Sequence, residues 1–284
     1  VQIVTDAAAD LSPEDIRQWG IQVLPLYIQF PDAEVSSFDI TPDDFYTRLK
    51  SIVPKVPTTS QPSVGSFLEM YDKVTQPDIL SIHVSGGLSG TFSTSQMASR
   101  QVEGKSVTTV DTETLSCGQR FQVLAAAMAL SKGWDVPKIL TRLEAIRAET
   151  ETIYTLETLE YLQRGGRIGR VQALAGSLLG IKPIIHVDHK DGKYSNLSRA
   201  RSVSQAMTSM ATHLSGLYGD QPVWVTIVHG QYADKAEAFG SMLKEKLNVG
   251  KFDGNRISPV LGVHTGPGIV GAGVVPLKHF EDLL

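Results

Sequence analysis

The sequence contains one cysteine, Cys117, in 284 residues. A disulfide within the chain is therefore impossible, which fits a reducing compartment. Blocks of one charge are also missing. The 26 Lys and Arg are offset by 30 Asp and Glu, for a formal net charge of -4. The basic footprint of a nucleic-acid binder is thus absent. No uninterrupted apolar run reaches spanning length, which argues against a transmembrane helix. The first residues, "VQIVTD", read as a strand rather than the charged and apolar regions of a secretory signal, and the missing Met suggests a trimmed or renumbered start. A cytoplasmic protein is expected. The GK[ST] ending of a P-loop is lacking, which argues against a Walker nucleotide site.

What is present is an ordinary globular composition, 42% hydrophobic and 20% charged, with ample apolar material for a core. Up to about residue 150, apolar strand patterns ("VQIVTD", "IQVLPLYIQF", "DILSIHV", "SVTTVDT") alternate with helical ones. Ser12 and Thr41, each followed by proline and acidic residues, read as helix N-caps. This alternation predicts an α/β unit with a mostly parallel sheet. The rest reads differently. "IKPIIHVDHKDGKYSNLSRA" predicts two strands around a tight turn, and further helices and strands predict a mixed sheet covered by helices. Two α/β domains are expected, 1–150 and 151–284. "RVQALAGSLL" reads as a helix, and "PTTSQPS" as a polar loop.

Two loops carry anion-binding chemistry. "SGGLSGT" leaves the strand "DILSIHV" and enters a helix, and "PTTSQPS" also leads into a helix. Hydroxyls, backbone N–H groups and the positive end of a helix dipole hold carboxylate or phosphate, and glycine lets the backbone come close. The carboxyl end of parallel strands is where open α/β sheets bind ligands. The competing reading is that these hydroxyls only cap helices.

Other motifs are weaker. "GLSGT" resembles a nucleophile elbow, with Thr91 in place of the last glycine. It offers a serine hydrolase with Ser89 as nucleophile and His264, in the loop "GVHTGPG", as base. "GPGIVG" matches G-x-G-x-x-G but lies too near the end of the chain for a dinucleotide-binding unit. His186 and His189 are spaced to point to different faces of a hairpin, so no metal site is expected there. Cys117 reads as a small buried residue, because its segment runs straight into an apolar helix. Arg164, Arg167 and Arg170 surround a helix break, with Arg199 and Arg201 beyond the hairpin. Arginines in such turns meet phosphates or acidic partners, although surface charge is the simpler reading for Arg164 and Arg170.

Taken in order, "TDAAADL", "LPLYIQF", "PTTSQPS", "SGGLSGTFSTS", "DTETLSCG", "LEYLQRGGRIG", "IKPIIHVDHKDG", "RARS" and "VHTGPG" span nearly the whole chain. In this the sequence resembles the DegV family, the fatty-acid-binding subunits of bacterial fatty acid kinase. One departure is Ala7, where the family commonly has a hydroxyl residue. The resemblance implies a two-domain α/β protein that encloses one long-chain fatty acid. It implies that Thr59, Ser60 and Ser89 bind the carboxylate, with His264 near the head group. Arg201 and Arg167 would face the kinase partner or its nucleotide phosphates. It further implies a carrier rather than an enzyme on its own: a separate kinase would use ATP to phosphorylate the bound acid. No cofactor, metal or nucleic acid is implied, and transient contact with a membrane surface is expected.

Overall fold

The computed structural model describes residues 1–172 and 180–284. The helix expected over "RVQALAGSLL" falls mainly outside these residues.

The first sheet is parallel throughout. Strands β1 (Gln2–Asp6), β2 (Gln22–Leu24), β6 (Asp78–His83) and β7 (Ser106–Asp111) lie in the order β2-β1-β6-β7. Its helices start where the sequence places caps. Ser12 and Asp15 form a reciprocal capping box at α1 (Pro13–Trp19), and Thr41 caps α2 (Pro42–Ser51). Helices α3 (Val64–Lys73) and α4 (Thr91–Ser99) follow.

A small antiparallel sheet escaped the sequence reading. It joins β3 (Tyr27–Gln29) to β4 (Glu34–Ser36) and β5 (Thr58–Ser60). Residues read as a polar loop are thus partly strand. Thr59 pairs with Ile28 and Ser60 with Tyr27, which fixes their positions by backbone bonds.

The larger sheet contains β8 (Glu151–Thr155), β9 (Lys182–Asp188), β10 (Lys193–Ala200), β11 (Val223–His229), β12 (Val249–Arg256) and β13 (Val270–Pro276). Their order is β10-β9-β8-β13-β11-β12, and only β11 and β12 run parallel. The expected mixed sheet is present. β12 was not anticipated, because two glycines and alternating charges mask its pattern. Helices α8 (Val203–Tyr218) and α9 (Ala233–Lys246) pack on this sheet. Helix α6 (Val136–Glu149) lies against β13, and α7 (Glu160–Arg164) and α10 (Pro259–Thr265) flank the site described below.

Helix α5 (Ser116–Ser131) joins the two large sheets. It contacts β1 and β6 of the first and β8 and β13 of the second, and is buried on all sides from Ser116 to Ala129. Its buried amide nitrogens find acceptors there, while Gln119 Oε1 has no partner among the described residues. Gln119 donates to Thr5 Oγ1 and Asp6 Oδ1, and Gln122 donates to the Thr112 carbonyl. Gly273 lets the helix approach β13, since a Cβ there would overlap the Cβ of Cys117. Cys117 itself is 1% exposed, and burial pushes its thiol up to about 12. It is a packing residue, as expected.

Candidate functional site

A cavity of about 220 Å³ opens where the two hydroxyl loops meet α10. Thr59, Ser60, Ser89, His264 and Arg167 all line it. Residues from four separate segments of the chain thus share one space. The remaining wall is mainly apolar, with Leu26, Val84, Leu115 and Val260 among its residues.

Each polar group is held by its own element. His264 lies on α10 rather than in a loop, because Pro259 starts a helix that ends only at Gly266. Its Nε2 is 2.8 Å from Thr59 Oγ1, while its buried Nδ1 has no partner among the described residues. Burial, reinforced by the charge of Arg167, pushes the imidazole down to about 3, so the ring is neutral at ordinary pH. Arg167 reaches the cavity from the turn after α7. It donates to the carbonyls of Gly165 (2.8 Å) and Leu88 (3.4 Å), and no carboxylate lies in ion-pair range among the described residues. The cavity wall therefore does contain a cation, although the loop "SGGLSGT" has none.

Ser89 sits at the entrance to α4, whose N-cap, Gly90, makes no side-chain cap bond. Its Oγ contacts Thr91 Oγ1 at 2.8 Å and accepts from the Thr91 N–H at 3.3 Å. The loop is closed from above by the β9–β10 turn, where Ser85 Oγ donates to the Gly192 carbonyl at 2.8 Å. Gly87 permits this, since a Cβ there would meet the Asp191 carbonyl. In "PTTSQPS" the hydroxyls divide their labour. Ser63 caps α3, whereas Ser60 accepts from Gln29 Nε2 at 3.0 Å and faces the cavity with Thr59.

The hydrolase arrangement is not assembled. A nucleophile and its base need hydrogen-bond contact, about 2.6–3.2 Å. Here Ser89 Oγ is paired with Thr91 and His264 Nε2 with Thr59. Arg201, exposed just beyond β10, is not among the cavity's lining residues. Arg164 pairs with Glu160, and Arg170 with Asp188 and Asp191, as half-exposed surface ion pairs.

The hairpin histidines require a correction. His186 Nδ1 and His189 Nε2 both reach the buried Glu151 carboxylate, at 2.8 and 3.4 Å. β9 ends at Asp188, so His189 lies in the turn and the strand alternation no longer applies to it. Among the described residues, no cluster is set to hold a metal ion.

Sequence reasoning missed three neighbours. Gln61 belongs to "PTTSQPS" and could have been included; its Nε2 donates to Thr94 Oγ1 at 2.8 Å. Tyr194 on β10 and Leu261 on α10 left no local signal. With Leu115, they also border a smaller and almost wholly apolar space of about 20 Å³ beneath the main cavity. These three residues form a wall common to both spaces, so the apolar lining continues from the main cavity towards β8.

Comparison with known proteins agrees with this architecture. The profile described as "Uncharacterised protein, DegV family" matches residues 1–277. A DegV domain-containing protein from Deinococcus radiodurans is 35% identical over 276 residues, 96% of this chain and 95% of its own length. A fatty-acid-binding DegV family protein from Thermus thermophilus is 31% identical, with a TM-score of 0.91 over 97% of this chain and 99% of its own. DegV from Bacillus subtilis, described as a fatty acid binding protein, is 28% identical with a TM-score of 0.88, over 97% and 98% of the two chains. The chain belongs to the DegV family.

Proposed function

We propose that this protein binds one long-chain fatty acid. Its carboxylate would lie at Thr59, Ser60, Ser89, His264 and Arg167, and its tail would follow the apolar lining past Leu115, Tyr194 and Leu261. One observation carries the reading: hydroxyls, a neutral imidazole and a guanidinium line one cavity whose remaining wall is mainly apolar. The fatty-acid-binding relatives from Thermus thermophilus and Bacillus subtilis support it.

The energetics suit such a ligand. Burying a methylene is worth about 0.8 kcal/mol, so a tail of about sixteen carbons contributes on the order of 10 kcal/mol before entropic costs. The head group then needs orientation and enough donors to avoid an unsatisfied buried charge. Arg167 supplies charge while held by two carbonyls, and the hydroxyls supply direction.

The chain would act as a carrier. Residues 1–150 and 151–284 would form two domains that enclose the acid and present its carboxyl group to a separate ATP-dependent kinase, giving an acyl phosphate. Arg201, exposed beyond β10, would face that partner. The protein would work in the cytoplasm and contact a membrane surface in passing to exchange ligand.

The test is to compare native and denatured masses of the purified protein and identify the extractable ligand. One long-chain acid per chain is the expected result. A protein that arrives empty and takes up no added fatty acid would overturn the reading.

A further inference from the structure

The smaller apolar space is bordered by a polar group with nothing to bond. Tyr154 lies on β8, 4% exposed, with its ring edge-on to Tyr194 and the centroids 5.8 Å apart. Its hydroxyl makes no hydrogen bond among the described residues. Of the other hydroxyls bordering this space, that of Tyr194 belongs to the neighbouring ring, and three are engaged. Ser116 donates to Asp10 at 2.5 Å, Thr152 contacts Thr114 at 3.3 Å, and Thr265 donates to the Leu261 carbonyl at 3.0 Å. The ring is closely held, because Gly271 on β13 packs directly against its Cβ.

A buried hydroxyl with no partner forfeits its full hydration. A saturated tail seated beside it offers no acceptor and keeps water out. A chain with an electron-rich group at that depth removes the penalty. A hydroxyl or oxo oxygen does so fully, and the π-face of a cis double bond does so in part. Resting on the fatty-acid reading above, we infer that Tyr154 is a specificity-determining residue, whose hydroxyl selects acids with a hydrogen-bond acceptor in the buried chain over saturated acids of equal length. A single water could also occupy the space, since about 10–15 Å³ suffices for one, but it would want two or more polar partners. Such a water would favour no particular chain.

The experiment uses the delipidated full-length protein and Tyr154→Phe. Affinities are measured for stearic acid, for cis-monounsaturated acids of the same length, and for hydroxystearic acids, the last two as sets of positional isomers. The wild type should bind its best hydroxylated isomer about tenfold more tightly than stearic acid, with the best unsaturated isomer between them. In Tyr154→Phe the three classes should converge to within about twofold, mainly through weaker binding of the hydroxylated and unsaturated acids. Melting of the variant checks that the fold is retained. Equal affinities in the wild type, or an unchanged preference in the variant, would overturn the inference and leave the fatty-acid reading standing. Failure of every acid to bind the wild type would remove both.

Discussion

His264 Nε2 and Thr59 Oγ1 share a hydrogen bond of 2.8 Å although 205 positions separate them in the sequence. One residue stands on α10 and the other on β5. The bond fixes how the two ends of the chain meet at the cavity. Because the imidazole is neutral, it can orient a carboxylate as a donor or pass its hydrogen bond to Thr59, but it brings no charge. Thr59→Val should therefore weaken fatty-acid binding by about five- to tenfold, the worth of one neutral hydrogen bond. Arg167→Met should cost more, because hydrogen bonds from a charged group are stronger. Titration calorimetry on delipidated protein checks both, and equal losses would mean that Arg167 does not meet the carboxylate.

The same neutrality makes a pH prediction. The His264 imidazole is held at about 3, against an ordinary value of 6.5. Above 6.5 the ring is neutral whether the chain is folded or not, and it contributes no pH dependence. Below that, the unfolded chain takes up a proton that the folded one refuses. Stability should fall by up to roughly 1.4 kcal/mol per pH unit as pH drops through this window. Denaturant melts of wild type and His264→Gln, compared at several pH values, isolate this slope. Parallel curves would show that the ring protonates freely in the fold.

Asp10 works in the opposite direction. It is buried beneath α5, accepts from Ser116 Oγ and the Ser258 N–H, and adopts a left-handed φ of 48°. Burial raises its carboxyl from 3.8 to about 6. The folded chain thus holds this proton more tightly. The resulting stabilisation is complete below 3.8 and lost as pH rises through 6. Asp10→Asn keeps an acceptor for the Ser258 N–H and removes the titration. The variant should lack the stabilisation that the wild type gains between about 6 and 3.8, read from the difference between the two stability curves.

Much of this was legible in the sequence because it rests on local chemistry. Ser12 and Thr41 announce their helices through caps, and the alternation of strands and helices announces the parallel sheet. Thr59, Ser60 and Ser89 stand out as hydroxyls beside glycine or proline. What was hidden depends on distant pairing. β5 is only three residues long and carries no apolar alternation, so it reads as a loop until β3 pairs with it. The helix bearing His264 is masked by the glycines of "GVHTGPG" and begins at Pro259, upstream of that motif. Tyr154 and Tyr194 border the smaller apolar space together only because β8 and β10 both flank β9. No periodicity along either strand reports that contact.

Arg120 supplies the last prediction, because the sequence gives no reason for a charge in the middle of α5. The residue is 5% exposed. Its guanidinium donates to Asp15 from α1, at 2.9 and 3.3 Å, and to Asp253 from β12, at 3.1 and 3.2 Å. One buried cation thus ties the first sheet's helices to the edge of the second sheet. Thr226 and Trp224 complete the network, each bonding to Asp253. Truncating the cation leaves two carboxylates crowded together with no counter-charge. Arg120→Met should cost about 3 kcal/mol, the low end for breaking a buried pair, since Asp253 retains some exposure to solvent. Asp253→Asn should cost less, because Arg120 keeps Asp15. Urea unfolding of the two variants checks the order, and a smaller loss for Arg120→Met than for Asp253→Asn would show that the network adds little to the junction.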